Sequence, residues 1–503
     1  MKMSTKASYL ACSIAAALGS NAAFAVGPGV TPDFVFYYGG GSAEPQAVGV
    51  ATCRLMSNVD LYTSTAGGAP DGKYYILYGT TKVANGSVPA GKNVMVMYKF
   101  NGGSYTNGGQ PQSPASVGLP YPTVASVLAA GDTTIGTGAG TYCTPGNGTP
   151  TVQVPAAFTI EGSNRQPDFG LTDLEVPAFN GINNPIAPAA LSLPGATVGI
   201  YDLVFGMAVT SQLYAQKHNF SYSEIAGILN GQIINWNQLY GDQPGFVGAK
   251  LPAGDVILLD RNIGSGHKTS STAEFLGFPQ LGAAALLPTS VINGYLGGSD
   301  GNGTPPAACA AGYQDVQESS AAGTAADLKL LASSATGCGL RAIGILSMDN
   351  PPGIAANQNT AGVNAYNFVS LNGTAVDTGT SGDDENSATA TSYVNAIKGN
   401  YTDFYQAHFN TKSTGFLGLG TPAADMASAY LAQLRSPTLP GCSGSPGAKF
   451  PGNLPGVIND LDNASTLSGV TCVSITSRNG NSDTPLFPFK TIPGNITLGS
   501  DPL

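Results

Sequence analysis

Val256-Ile257-Leu258-Leu259-Asp260-Arg261-Asn262-Ile263-Gly264-Ser265-Gly266-His267-Lys268-Thr269 is an apolar run that ends in an acid and an arginine, turns on two glycines and a serine, and then opens a helix through Ser271-Thr272-Ala273-Glu274-Phe275-Leu276. The first backbone N–H groups of such a helix have no partner within it. Set beside a serine hydroxyl and a guanidinium, they make a place for an oxyanion. Arginine suits the task because its planar fork gives two parallel hydrogen bonds to one tetrahedral anion and keeps its charge at any relevant pH. A plain strand–turn–helix junction with a solvated arginine has the same local sequence, so the reading rests on what the rest of the chain supplies.

Outward from this stretch, short apolar strands alternate with helical patterns. Residues 33–38 read as a buried strand that ends in Gly39-Gly40-Gly41-Ser42. Residues 74–78 and 93–99 read as further strands, the second ending in Phe100-Asn101-Gly102-Gly103-Ser104. Residues 167–173 form a strand that ends at Asp173, and 200–209 form another. Helices are predicted over 222–229, 325–332 and 389–409, with a strand at 342–346. The alternation indicates an α/β sheet, in which strand ends carrying Gly/Ser turns bind ligands.

Composition narrows the class. Only 10% of the 503 residues are charged, whereas 68 are Gly and 35 are Pro, so the surface is built from small and weakly polar residues. A formal net charge of −10 argues against nucleic acid or anionic membrane as a partner and requires any anion to be captured by a local positive site. Lys2 and Lys6, the apolar run from 9 to 18 and Ala23-Phe24-Ala25 read as an export signal cleaved after Ala25. Later stretches fall short of the about 18 apolar residues that a membrane span needs, so no membrane insertion is expected. Cys53, Cys143, Cys309, Cys338, Cys442 and Cys472 remain, an even set that fits disulfides in an exported chain; sequence proximity favours pairing them in that order.

Four strand ends share one chemistry: Gly41-Ser42, Gly102-Gly103-Ser104, Thr172-Asp173, and Arg261 with Gly264-Ser265-Gly266. Glycines and hydroxyls admit an anion closely to backbone N–H groups. Asp173 is the odd member. A carboxylate repels an anion unless that anion brings a proton, as hydrogen phosphate does and sulfate does not. At this point the chain resembles the phosphate-binding proteins of bacterial ABC transporters, in the type 2 periplasmic-binding-protein superfamily. Asp168-Phe169-Gly170-Leu171-Thr172-Asp173 is similar to the family's Asp-Phe-Gly-Ala-Ser-Asp. The span from Glu224 to Asn237 resembles its Gly-Lys-Ile-x-x-Trp-Asn phrase, and Arg261 to Gly266 its Arg-x-Asp-Gly-Ser-Gly-Thr. Arg341-Ala342-Ile343-Gly344-Ile345 resembles the strand returning through the hinge.

The resemblance implies a two-lobed α/β fold of the type 2 binding-protein kind with Gly/Pro-rich insertions. Lobe one would take 26–200, with an insertion at about 50–165, and 342–410; lobe two would take 201–341, leaving a C-terminal extension over 411–503. It also implies a non-catalytic, cofactor-free protein, periplasmic or secreted, that captures phosphate or a similar protonated oxyanion and delivers it to an ABC permease. Carried over by position, Asp173 accepts the ligand's proton, Arg261 is the charged donor, and Ser265, Gly266 and Ser104 are further donors, with Ser42 or Ala43 on the first loop. Two departures stand out. Ile263 replaces an aspartate that orients the arginine, so Arg261 loses a partner, and His267 replaces a threonine and brings a pKa near 6.5 that would make affinity depend on pH. Lys268 adds a charge at the positive end of a helix, unfavourable unless an anion lies near.

The insertion and the extension read as surface decorations, and Gly415-Phe416-Leu417-Gly418-Leu419-Gly420 as a linker, since it lacks the Lys-Ser/Thr of a nucleotide loop. His218 reads as a solvated loop residue and His408 as a helix-end surface group. Two other functions fit parts of the pattern. An extracellular structural or adhesive protein fits the low charge and abundant tyrosine, and a secreted phosphoester hydrolase would need a nucleophile or metals that no motif here supplies.

Overall fold

A computed structural model describes residues 30–66, 69–113, 116–129, 154–179, 197–277, 312–333, 341–354, 357–376 and 399–436, with a few isolated positions besides. The stretch read as an export signal and five of the six cysteines that follow it lie outside the described residues; Cys53 is disulfide-bonded.

The order along the chain is β1 (Phe34–Gly39), α1 (Pro45–Leu55), β2 (Met56–Ala66), β3 (Ala69–Thr81), β4 (Asn93–Lys99), β5 (Val154–Ala156), β6 (Phe169–Thr172) and β7 (Thr197–Thr210). Then come β8 (Asn219–Phe220), α2 (Tyr222–Leu229), β9 (Ile257–Arg261), α3 (Gly266–Leu276), β10 (Gln314–Glu318), α4 (Ala321–Ala332), β11 (Ile343–Ser347), β12 (Tyr366–Phe368), β13 (Ser370–Leu371), β14 (Phe404–Thr411), α5 (Pro422–Leu434) and β15 (Val457–Ile458).

One mixed sheet runs β10-β9-β11-β7-β14-β6-β1-β4-β3-β2-β5, and β12 and β15 also pair with β7. The 14-residue β7 holds the two halves together. Its first part, 197–204, pairs with β14, and its last part, 205–209, pairs with β11. Side chains of Ile200, Tyr201, Leu203 and Phe205 enter one core with β1, β4, β6 and α1. Those of Val204, Met207, Ala208 and Val209 enter a second core with β9, β11, α2 and α4. Two lobes, each with its own core, therefore share a crossing strand. Within each lobe the central strands are parallel, β1 with β4 and β6, and β9 with β10 and β11.

The local sequence explains the helices that frame these strands. Ser221 and Glu224 form a reciprocal capping box at the start of α2, and Ser320 accepts from Gly323 N–H at the start of α4. Gly277, with φ 74°, ends α3 in the left-handed conformation that glycine adopts without cost. No helix among the described residues is long and apolar enough to cross a membrane.

Several expectations need correction. The segment read as an inserted decoration supplies β2, β3 and β4 to the sheet, and Tyr62, Tyr74, Ile76, Tyr78, Met95, Met97 and Tyr121 build a third core on its second face. Among the described residues of the helix predicted over 389–409, only Val394–Ile397 is helical, and Phe404–Thr411 is a strand with seven of eight residues buried. His408 accordingly lies inside, 3.9 Å from a Glu175 carboxylate oxygen, rather than at a helix end. His218 stacks on Tyr214 at 3.8 Å. After the 3₁₀ turn Phe416–Gly418, α5 inserts into the first core: Tyr430 meets Tyr38 edge-on at 4.9 Å and its hydroxyl lies 2.6 Å from Thr52 Oγ1. Tyr430→Ala should therefore destabilise by about 3–5 kcal/mol in urea unfolding, the range for a buried aromatic. An effect under about 0.5 kcal/mol would mean that α5 is a peripheral attachment.

Candidate functional site between the lobes

Parallel strands put their carboxyl ends on one side, and here six of them point into the same place. In lobe one, β1 runs into Gly41-Ser42-Ala43-Glu44, β4 into Gly102-Gly103-Ser104, and β6 into Asp173. In lobe two, β9 ends at Arg261 and turns into Ser265-Gly266, β10 ends at Glu318, and the chain after β11 reaches Asp349. The two sets of turns touch. Gly102 N–H donates to Ser319 O at 3.3 Å, Tyr105 N–H to Gly264 O at 3.0 Å, and Ala321 N–H to Ser42 Oγ at 3.1 Å.

Arg261 sits at the centre. It is 1% exposed; Nε donates to Glu318 O at 3.2 Å, and a terminal amine donates across the interface to Ser42 Oγ at 3.3 Å. Burial lowers its pKa, and the charges of Asp173, Glu318, Asp260 and Asp349 oppose that shift. The cation therefore stays a cation by drawing acids around it. Asp260 is matched in turn by Lys268, in the first turn of α3, with which it forms a buried ion pair.

Asp173 is equally buried. Its Oδ2 lies 3.5 Å from His267 Nδ1, and the start of α3 presses on it so closely that a side chain at Gly266 would overlap its carboxyl group. Burial pushes its pKa up, but the neighbouring His267, Glu44 and Arg261 outweigh that and hold it below the usual carboxylate value. Gly41 shows what else converges: a Cβ there would lie 2.6 Å from Asp173 Oδ1, 2.7 Å from Glu44 Oε2 and 2.8 Å from Ser104 Cβ. Ser104 Oγ has no hydrogen-bond partner among the described residues. Ser265 stands at the N-cap of α3 with its side chain making no capping bond.

The structure thus brings Ser42, Ser104, Asp173, Arg261, Ser265, Gly266 and His267 together. Ala43 is buried beside them but offers only a methyl group. His267 corrects one expectation. It is fully buried, edge-on to Phe205 at 4.7 Å, and burial with the Arg261 charge lowers its pKa to about 4, so it is a neutral imidazole and no sensor near 6.5. Arg261 corrects another, because Asp173, Glu318 and Asp349 surround it although Ile263 replaces the expected aspartate. The anion that Lys268 needs is Asp260.

Sequence reasoning missed three acids: Glu44, Glu318 and Asp349. Glu44 directly follows a Gly/Ser turn and precedes Pro45 at the first position of α1, a place where an acid is ordinary for helix reasons. Asp349 accepts from Ser347 Oγ and from Asn350 Nδ2, the latter at 2.7 Å. Burial pushes its pKa up to about 7, against those hydrogen bonds.

These shifts have opposite signs for stability. His267 is harder to protonate folded than unfolded, so its contribution is lost as pH falls from about 6.5 to about 4. Asp349 is easier to protonate folded, so its contribution is present at low pH and lost as pH rises from about 3.9 through about 7. Asp349→Asn removes the second trend. Between about pH 5 and about pH 7 the variant should gain on the wild type by up to about 1.4 kcal/mol per pH unit in urea unfolding. A constant difference across that window would show that Asp349 ionises at an ordinary carboxylate pKa.

Comparisons with known proteins add little to this geometry. A scan against protein-family models finds no match, and a search of curated proteins finds none either. Among solved structures the chain is similar to one described as a phosphate ABC transporter substrate-binding protein with bound phosphate from Clostridium perfringens, with a TM-score of 0.34 and 10% identity over 79% of this chain and 92% of that one. It is similar to PstS from Borrelia burgdorferi, with a TM-score of 0.25 and 16% identity over 46% of this chain and 65% of that one, which is under two thirds of its length. It is also similar to an ABC-type phosphate transport receptor from Vibrio cholerae, with a TM-score of 0.25 and 13% identity over 50% and 70% of the two chains. At such scores the likeness carries no argument; the two-lobed arrangement stands on the sheet pairing and the two cores themselves.

Proposed function

We propose that this chain is an exported receptor that captures a protonated tetrahedral oxyanion, inorganic phosphate foremost, between its lobes and releases it unchanged, in the periplasm or outside the cell, to an ABC permease. The observation that carries the reading is the meeting of one buried guanidinium and one ionised carboxylate, drawn from different lobes, at strand ends that also bring serines and a helix start. Arg261 supplies the charge that a chain of net charge −10 otherwise lacks for an anion. Asp173, held ionised, accepts the proton of the ligand and repels an anion that has none. Ser42, Ser104, Ser265, the N–H group of Gly266 and the neutral ring of His267 complete the donors. No water-activating step is invoked, and closure of the lobes is the signal that a transporter would read.

Isothermal titration tests this. Phosphate and arsenate should bind with one site per chain and sulfate at least 100-fold more weakly, on the order of the 3 kcal/mol that an unmatched buried acceptor costs. Arg261→Ala should abolish binding, and Asp173→Asn should admit sulfate. Equal binding of phosphate by wild type and Arg261→Ala would overturn the proposal, and turnover of a chromogenic phosphoester by the same preparation would replace it with a hydrolase.

A further inference from the structure

Helix capping does not account for the place of Glu44. It stands at the N-cap of α1 yet makes no capping hydrogen bond, and it is 0% exposed. Its Oε2 accepts from Tyr98 O–H at 3.3 Å, while Oε1 has no hydrogen-bond partner among the described residues. No cation among the described residues pairs with it. The same carboxyl points at the spot above Gly41 that Asp173 Oδ1 and Ser104 also border, the first two oxygens lying 2.7 Å and 2.6 Å from that spot. Two buried carboxyl groups thus face each other beside an orphan serine hydroxyl, at the centre of the site rather than on its rim.

We infer that Glu44 is a ligand-site residue that shares a single proton with Asp173, and that the oxyanion is captured only while the pair holds that proton. This rests on the anion-receptor reading above and adds to it a condition on capture. Two like charges this close in a buried site cannot both be carried, so one carboxyl keeps its proton. Burial first, and the Asp173 charge second, push the Glu44 carboxyl well above the ordinary range, whereas Asp173 is held low, so the proton resides on Glu44. The groups that face the pair agree with this allocation. Tyr98 from β4 and Tyr201 from β7 are phenols that burial keeps neutral, and His267 from α3 is neutral too. Arg261 from β9 is the cation, and Asp349 after β11 is an acid that ionises near neutrality. With one proton, the pair carries one negative charge against Arg261. Without it, a second negative charge confronts the anion and capture fails.

The test combines infrared spectroscopy with phosphate titration on the full chain. Wild type at pH 7 should show the carbonyl stretch of a protonated carboxylic acid that Glu44→Gln lacks. As pH rises, loss of that band and loss of phosphate affinity should share a midpoint, beyond which affinity falls about tenfold per pH unit, the slope for one proton. Glu44→Gln, whose amide cannot ionise, should bind several-fold more weakly at pH 7 but without the alkaline fall. The ratio of the two affinities cancels the ionisation of phosphate itself and of Asp349. Absence of an acid band assignable to Glu44 at pH 7, or loss of that band with no change in the affinity ratio, would overturn the inference. Failure of the receptor reading looks different: wild type then binds no phosphate at any pH, or binds it as well as Arg261→Ala does.

Discussion

The interior placement of the Arg261 guanidinium is the constraint on which the arrangement turns. A buried cation is tolerated only where opposite charge and hydrogen-bond acceptors are fixed around it, because removal from water otherwise costs several kcal/mol per ion. Here the acceptors come from both lobes: a main-chain oxygen of β10, the hydroxyl of Ser42 on the other side, and carboxylates at the ends of β6, β9 and β10 and beyond β11. A chain with only 10% charged residues thus places at least seven of them, Glu44, Asp173, Asp260, Arg261, Lys268, Glu318 and Asp349, in one buried region. Buried charges gathered in this way mark a candidate site.

The sheet explains how the charges meet. If each lobe had its own separate sheet, the carboxyl ends of the parallel strands would face each other only as accurately as a flexible linker allows. The shared β7, hydrogen-bonded to β14 along its first part and to β11 along its last, fixes the two halves in one register. Lobe one needs the extra width of β2 and β3 because its parallel strands are buried on both faces, and the tyrosine- and methionine-rich third core covers the second face.

Much of this was legible in the chain, and the exceptions have physical causes. The turn at Arg261–Gly266 could be read because its chemistry is local: a strand end, two glycines and a helix start specify their own geometry. Asp173 was legible for the same reason. Phe404–Thr411 was not, because the alternation of Tyr405, Ala407 and Phe409 with Gln406, His408 and Asn410 is too short to decide by itself between strand and helix; pairing with β6 and β7 decided the matter. Glu44 escaped because an acid beside a helix start has an ordinary explanation. Only its missing capping bond and its approach to Asp173, 129 residues away in sequence, remove that explanation. His267 was misjudged in character though not in place, since its depressed basicity comes from Phe205 and Arg261 around it and not from its neighbours in the chain.

An anion site crowded with acids looks self-defeating, yet the crowding is what lets such a site discriminate. Arg261 alone would hold any small anion, sulfate and chloride included, since a guanidinium offers charge and a fork but reads no proton. Each buried carboxyl raises the cost of a ligand that cannot supply or accept a proton at that point, while costing little for one that can. In the proposed receptor the excess of acids over bases around Arg261 would therefore weaken capture overall and sharpen it for species that bring their own protons. The same proposal gives the neutral imidazole a role: a charged His267 would neutralise Asp173 and erase the discrimination, and its burial against Phe205 prevents it.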